Sequence, residues 1–165
     1  MRLTPIASCV RLALMGALLG TTASVSVGGE LPVPKSTFVT AGRADFMVAK
    51  QTLQVRQQSE RAILNWQQFN VGSNHEVRFV QPSASAVALN RIDQANPSRI
   101  FGKVTANGQI YLLNRNGFVF GKNSTVNANT LIASTLNISD EVFERGLTNV
   151  IDQDGTAALT GNGEI

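Results

Sequence analysis

Few residues of this chain have the type and spacing that chemistry requires. His75 is the only histidine and Cys9 the only cysteine. A zinc site needs three or four convergent ligands, so no metal is assigned. His75 sits in the Gly72-Ser73-Asn74-His75 stretch and reads as a solvated loop residue. Asp93, Asp140, Glu141, Asp152 and Asp154 are the acids that could pair for general acid–base work. Each stands beside a turn signal or a helix start, where solvated carboxylates are ordinary. Asp152-Gln153-Asp154-Gly155 has the opening of a calcium loop without its later oxygen ligands. A serine–histidine–acid arrangement, a phosphate loop and a dinucleotide fingerprint are all missing. Trp66 could stack on a sugar, but Ile63, Leu64 and Phe69 beside it favour core or cap packing. No catalytic residue and no cofactor follow from these groups.

The elements that would position such residues are short strands and tight turns. In 109–139 the chain is almost uncharged and rich in Asn. Ile110 and Leu112 alternate, Asn114-Arg115-Asn116-Gly117 turns the chain, Phe118 and Phe120 alternate, and Gly121-Lys122-Asn123 turns it again. The same alternation holds for Leu53 and Val55, Phe69 and Val71, and Val77 and Phe79. Turn signals recur at intervals of about 8 to 12 residues, the spacing of all-β architectures. One helical turn is expected at Asp140–Arg145, with Ser139 as N-cap, two acids at its positive end and Gly146 as its stop. The abundance of Asn favours a solenoid, because Asn tolerates left-handed turns and stacked Asn side chains can form ladders between coils. Coils of about 20 residues would suit the spacing. A jelly roll or sandwich has the same strand lengths, so pattern alone leaves both open.

Composition bounds the rest. The 165 residues suit one domain, and 43% hydrophobic with 15% charged residues argues against disorder. Arg2 and Arg11 make a positive region before the apolar run Leu12–Leu19, and small residues follow. This is a signal-peptide pattern over 1–23, with the cut as late as Ser26. Its removal takes Cys9 and two arginines, leaving twelve basic against eleven acidic residues. The mature chain is then nearly neutral, without a nucleic-acid footprint, and it carries no crosslink to block passage through a pore. Nothing beyond the leader is apolar enough for a transmembrane helix. Residues 24–37, punctuated by Gly28, Gly29, Pro32 and Pro34, form a linker or a first strand before the main domain at 38–165.

Several collinear stretches carry a family resemblance. Ala62 to Gly72, with Asn65, Trp66 and Phe69, is similar to the W-x-x-F-N segment of the N-terminal domain of the filamentous haemagglutinin family. Val77–Ala86 and Leu89-Asn90-Arg91-Ile92 resemble its next blocks. Asn96-Pro97-Ser98-Arg99-Ile100-Phe101-Gly102 resembles its n-P-S-x-I-x-G. Gly108 to Gly121 resembles its G-q-v-f-L-i-N-P-N-G-i-x-f-G, with Arg115 replacing the proline. Leu131–Ile138 follows as a further block. The family's Asn-Pro-Asn-Leu motif has no counterpart.

The resemblance implies an all-β fold, a right-handed parallel β-helix with N-terminal capping strands. It implies two-partner secretion: Sec-dependent export, then capture by the periplasmic peptide-binding modules of a dedicated outer-membrane barrel transporter. The chain would pass through extended and fold outside, secreted or at the cell surface. The periplasm has no ATP, and coils that bury apolar surface one on another could supply the driving free energy. Segments 53–56, 77–80, 110–113 and 118–120 suit capture by strand addition. Asn114, Asn116 and Gly117 become either a recognition determinant or an essential turn. Asn65, Trp66, Phe69, Asn90, Pro97, Gly102 and Gly121 become structural motif positions. Downstream repeats would meet host surfaces or glycans, as in adhesins, haemagglutinins and contact-dependent toxin carriers. The family's members are much longer, and Thr160-Gly161-Asn162-Gly163-Glu164-Ile165 reads as the opening turn of a further coil, which implies a truncated frame or a fragment. The competing expectation is a β-helix enzyme acting on polysaccharide, or a carbohydrate-binding protein. It needs convergent acids and exposed aromatics on one face.

Overall fold

The computed structural model describes residues 31–145. The leader, residues 24–30 of the 24–37 segment, Gly146, Asp152, Asp154 and the 160–165 turn lie outside the described residues. The strands are β1 (Val33–Ala41), β2 (Ala44–Ala49), β3 (Thr52–Gln57), β4 (Arg61–Gln68), β5 (Glu76–Val80) and β6 (Val87–Ile92). They continue with β7 (Ser98–Ile100), β8 (Lys103–Ala106), β9 (Gln109–Asn114), β10 (Phe118–Phe120), β11 (Thr125–Asn127) and β12 (Thr130–Ser134), before helix α1 (Asp140–Arg145).

The strands stack on three faces. β4, β6, β9 and β12 pair parallel on face A. β3, β5, β8 and β11 pair parallel on face B. β7 and β10 pair parallel on face C, where Val71 also bridges to Ile100. The chain visits B, A and C in turn, so the fold is a parallel β-solenoid and not a sandwich. Register on face A advances from Arg61 to Val87, Gln109 and Thr130, giving coils of 26, 22 and 21 residues.

The alternation seen in the sequence becomes columns of interior side chains. Leu53, Val77, Val104 and Val126 lie in register on face B. Ala62, Ala88, Ile110 and Leu131 do so on face A. Leu53, Val77, Val104, Ala62, Ala88 and Ile110 are fully buried. Burying each such valine or leucine stabilises by about 1.5–3 kcal/mol.

The N-terminal end is capped by two antiparallel strands. β1 lies along β4 on face A, and β2 lies along β3 on face B. Phe38 of β1 packs edge-on to both Trp66 and Phe46, with ring centroids 5.0 Å apart in each pair. The cap thus closes one end of the apolar interior with aromatic area.

Face A is buried on both sides. Its outer side chains Ile63, Leu89, Tyr111 and Leu113 form a second apolar cluster with Ile138 and Phe143. Residues 138–145 cross this outer side as a strap. Ser139 caps α1 as its sequence indicates: its hydroxyl accepts from Val142 N at 3.3 Å and its carbonyl from Phe143 N at 3.0 Å. Two arginines on face A hold the strap. Arg61 donates to the carbonyls of Phe143 and Glu144, and Arg91 donates to Ile138 O and pairs with Asp140.

Among the described residues the expected asparagine ladder is not formed. Asn90 stands in register with Leu64 and Leu112, and Asn114 with Ile92. Asn is used singly, to satisfy buried polar groups. Asn90 accepts from Trp66 Nε1 at 2.9 Å and donates to the carbonyls of Ala88 and Tyr111. The amides that do stack are glutamines. Gln57 and Gln81, both buried, meet at the B-to-A corner, with Gln81 Nε2 donating to Gln57 Oε1 at 3.1 Å.

Candidate functional site

The Asn114–Gly117 turn is the densest hydrogen-bonded point among the motif residues. Asn114 ends β9 pointing inward and is 1% exposed. Its Nδ2 donates to Ser98 Oγ at 2.9 Å and to Asn96 O at 3.3 Å. Its Oδ1 accepts from Asn116 N, and its carbonyl from Gly117 N, both at 2.9 Å. Gly117 has φ +84°, a left-handed backbone natural to glycine. Its carbonyl accepts from Ser98 N at 2.9 Å, and Asn116 Nδ2 donates to Gln94 O at 2.7 Å. The turn is therefore clamped to the coil beneath it. Only Arg115 and Asn116 of its side chains are exposed.

A cleft of about 350 Å³ lies beside the turn on the outer side of face A, lined by Lys35, Arg91, Asp93, Gln94, Arg115 and Asn116 among others. Lys35 of β1 pairs with Asp93 at 2.6 Å. That bond and the lysine charge hold the Asp93 carboxyl below its ordinary value, helped by Arg115. The cleft is a polar surface with three cations, Lys35, Arg91 and Arg115, against the one acid Asp93, and without a base poised against a nucleophile.

The other motif residues serve the fold. Asn65 Nδ2 reaches across to β1, at 3.3 Å from Thr37 O and 3.1 Å from Thr40 Oγ1. Trp66 and Phe69 are fully buried, their rings 5.2 Å apart. Phe69 N donates to Gln94 Oε1. Pro97 is exposed in the approach to β7. A Cβ on Gly102 would lie 2.1 Å from Gly72 O and 2.3 Å from His75 O, so only glycine fits. A Cβ on Gly121 would meet the Phe101 ring at 2.7 Å.

Asp93 pairs with Lys35, Asp140 with Arg91, and Glu141 with Arg145. These acids do not converge, and no metal-ligating cluster occurs among the described residues. Three positioning groups are not among the expected site residues: the Gln57–Gln81 corner, the Arg61 and Arg91 anchors of the strap, and Gln94. The corner leaves a faint trace, since each glutamine ends an alternating strand at a position facing the interior.

The model of the TPS secretion domain family matches residues 31–164. A heme/hemopexin-binding protein of Haemophilus influenzae strain Rd is 32% identical over 132 residues, which is 80% of this chain and 14% of that protein. A second heme/hemopexin-binding protein of Haemophilus influenzae is 42% identical over 81 residues, 49% of this chain and 9% of that protein. The crystal structure of the HMW1 secretion domain from Haemophilus influenzae superposes with TM-score 0.62 at 36% identity, covering 65% of this chain and 28% of that one. The chain spans about a seventh or less of the curated relatives it matches.

Proposed function

The chain belongs to the TPS secretion domain family, and on that footing we propose that it is the secretion-targeting module of a larger exported protein, read by a partner transporter in the outer membrane. Sec delivers the precursor, the transporter's periplasmic modules bind the extended chain, and the solenoid forms outside. The module does no bond chemistry itself. The carried part is an adhesin-like exoprotein, and haemagglutination, contact-dependent toxin delivery or glycan binding belongs to that part. Haem and hemopexin binding is likewise a property named for the longer relatives, and nothing in the described residues assigns it to this module. The polysaccharide-enzyme reading lacks support: the acids are scattered and paired, and the single tryptophan is buried.

One observation carries the proposal furthest. Three of the four segments suited to strand addition, 53–56, 77–80 and 110–113, are interior strands once folded, whereas 118–120 (β10) is paired on one side only. β3 lies between β2 and β5, β5 between β3 and β8, and β9 between β6 and β12. Their backbone edges are taken, so strand addition there requires the unfolded chain. Capture at these three and folding then exclude each other, and a transporter that binds only the unfolded chain releases it as coils form.

The test is binding of the transporter's periplasmic region to the mature chain, once refolded and once held unfolded in dilute urea. Binding should be confined to the unfolded sample. Equal binding by the folded domain overturns capture by strand addition, and binding by neither sample overturns capture altogether. Asn116→Ala should also reduce secretion of a reporter fused after Ile165. Unchanged secretion leaves the 114–117 segment as a turn only.

A further inference from the structure

Two Asn-Gly pairs lie among the described residues, Asn107-Gly108 between β8 and β9 and Asn116-Gly117 just before β10. This dipeptide carries a reaction of its own. The backbone nitrogen that follows an asparagine, once it has lost its proton, attacks the side-chain Cγ. A succinimide ring closes, and the side-chain nitrogen leaves as ammonia. Water then opens the ring at either carbonyl, giving aspartate or isoaspartate. Glycine has no Cβ to crowd the attack. Every other described asparagine precedes a bulkier residue, and one of these, Pro97, has no N–H to deprotonate.

Both asparagines are exposed, so water reaches them. Yet the reacting groups are tied down at each site in the same way. At the first, the attacking nitrogen, Gly108 N, donates to Gln81 Oε1 at 3.0 Å. The leaving group, Asn107 Nδ2, donates to Gln81 O at 2.7 Å, and Asn107 Oδ1 accepts from Gln81 N at 2.7 Å. At the second, Gly117 N donates to Asn114 O at 2.9 Å, and Asn116 Nδ2 donates to Gln94 O at 2.7 Å. Ring closure needs the glycine nitrogen freed and turned toward Cγ, and each of these bonds must open first. Gln81 and Gln94 stand on the coil beneath, so each lock closes only when one coil rests on another.

We propose that Asn107 and Asn116 are latent deamidation sites, silent in the stacked solenoid and reactive in the unstacked chain. A converted residue does not restore its lock. Aspartate sets a carboxylate oxygen where Nδ2 stood, against Gln81 O or Gln94 O, so that acceptor faces acceptor. Isoaspartate adds a methylene to the backbone, and at position 116 it does so inside the turn that closes Gly117 N on Asn114 O. A chain that waits unfolded therefore records the wait at two turns that clasp its coils. The proposal rests on these hydrogen bonds alone and is independent of any transporter.

Peptide mass mapping tests it on the full chain, incubated in mildly alkaline buffer with and without denaturing urea and then digested identically. Trypsin cuts after Lys103, Arg115 and Lys122, so residues 104–115 and 116–122 report the two sites separately. Deamidation should run at least tenfold faster in urea at both sites, and equal rates overturn the proposal. Two variants in native buffer test the locks themselves. Asn114→Ala removes the Oδ1 that accepts from Asn116 N and the bonds to Ser98 and Asn96. It should speed deamidation at Asn116 severalfold and leave Asn107 unchanged. Gln81→Met removes the acceptor of Gly108 N and should do the reverse. Acceleration of both sites together in both variants would assign the protection to the fold as a whole and overturn the local locks. Unchanged rates in both variants would overturn them equally.

Discussion

Two glycines separate conformational cost from steric cost. At Gly117 an added Cβ meets nothing nearer than Thr135 Cγ2 at 4.0 Å, but φ is +84°. Gly117→Ala should therefore lose about 1–2 kcal/mol, the cost of left-handed backbone in an L-residue. Gly102→Ala drives a methyl into two backbone carbonyls, so urea denaturation should show a loss several times larger. Similar losses at the two positions would refute this division. Arg115 occupies the second place of a four-residue turn closed by Gly117 N donating to Asn114 O. Proline suits that place. Arg115→Pro should raise stability by about 0.4–1 kcal/mol, through the unfolded chain, and a lowered urea midpoint would show that the arginine's backbone is needed. The motif residues were legible at this scale because turn chemistry is local. The role of Asn90 was not, since its partners Trp66 and Tyr111 lie on neighbouring coils.

At the scale of elements, the strands and the single helical turn follow from period and capping residues. The register does not, because alternation along one strand says nothing about which strand lies beside it. One signal could have revealed the strap. Ala62-Ile63-Leu64 and Tyr111-Leu112-Leu113 are continuous apolar runs, the mark of strands buried on both faces, and so call for a cover on the outer side. Phe143, 2% exposed, is the centre of that cover. Phe143→Ala should open the strap while the coils persist. Exchange at Val142 and Phe143 should then rise well before that of β4 and β6, and simultaneous loss would show the strap to be integral to the solenoid. The cap has a pH dependence of known sign. Asp93 is held low by Lys35, so its contribution is complete above the unfolded pKa and lost as pH falls through the folded one. The carboxylate is 79% exposed, so the effect is small. Lys35→Met should flatten the acid limb of a stability–pH curve, and an unchanged limb would assign it to other acids such as Glu76. Burial pushes the Glu76 carboxyl up, but bonds from Arg78 and Thr105, with the Arg78 and Lys103 charges, bring it below its ordinary value.

For the whole molecule, stability and capture pull in opposite directions. If the transporter binds only unfolded chain, its apparent affinity scales with the unfolded fraction. Trp66 is fully buried and ties the cap to the first coils through Phe38, Phe69 and Asn90. Trp66→Ala should cost about 3–5 kcal/mol, a large part of the roughly 5–15 kcal/mol that holds a domain of this kind together. Each 1.4 kcal/mol is tenfold in population, so the unfolded fraction rises by at least about two decades. The transporter's periplasmic region should then bind the Trp66→Ala chain about a hundredfold more tightly than the parent under native conditions, while the recovered extracellular product is more easily cleaved by protease. Weaker binding by the variant would mean that a folded surface is recognised, and that coil formation is not what releases the chain.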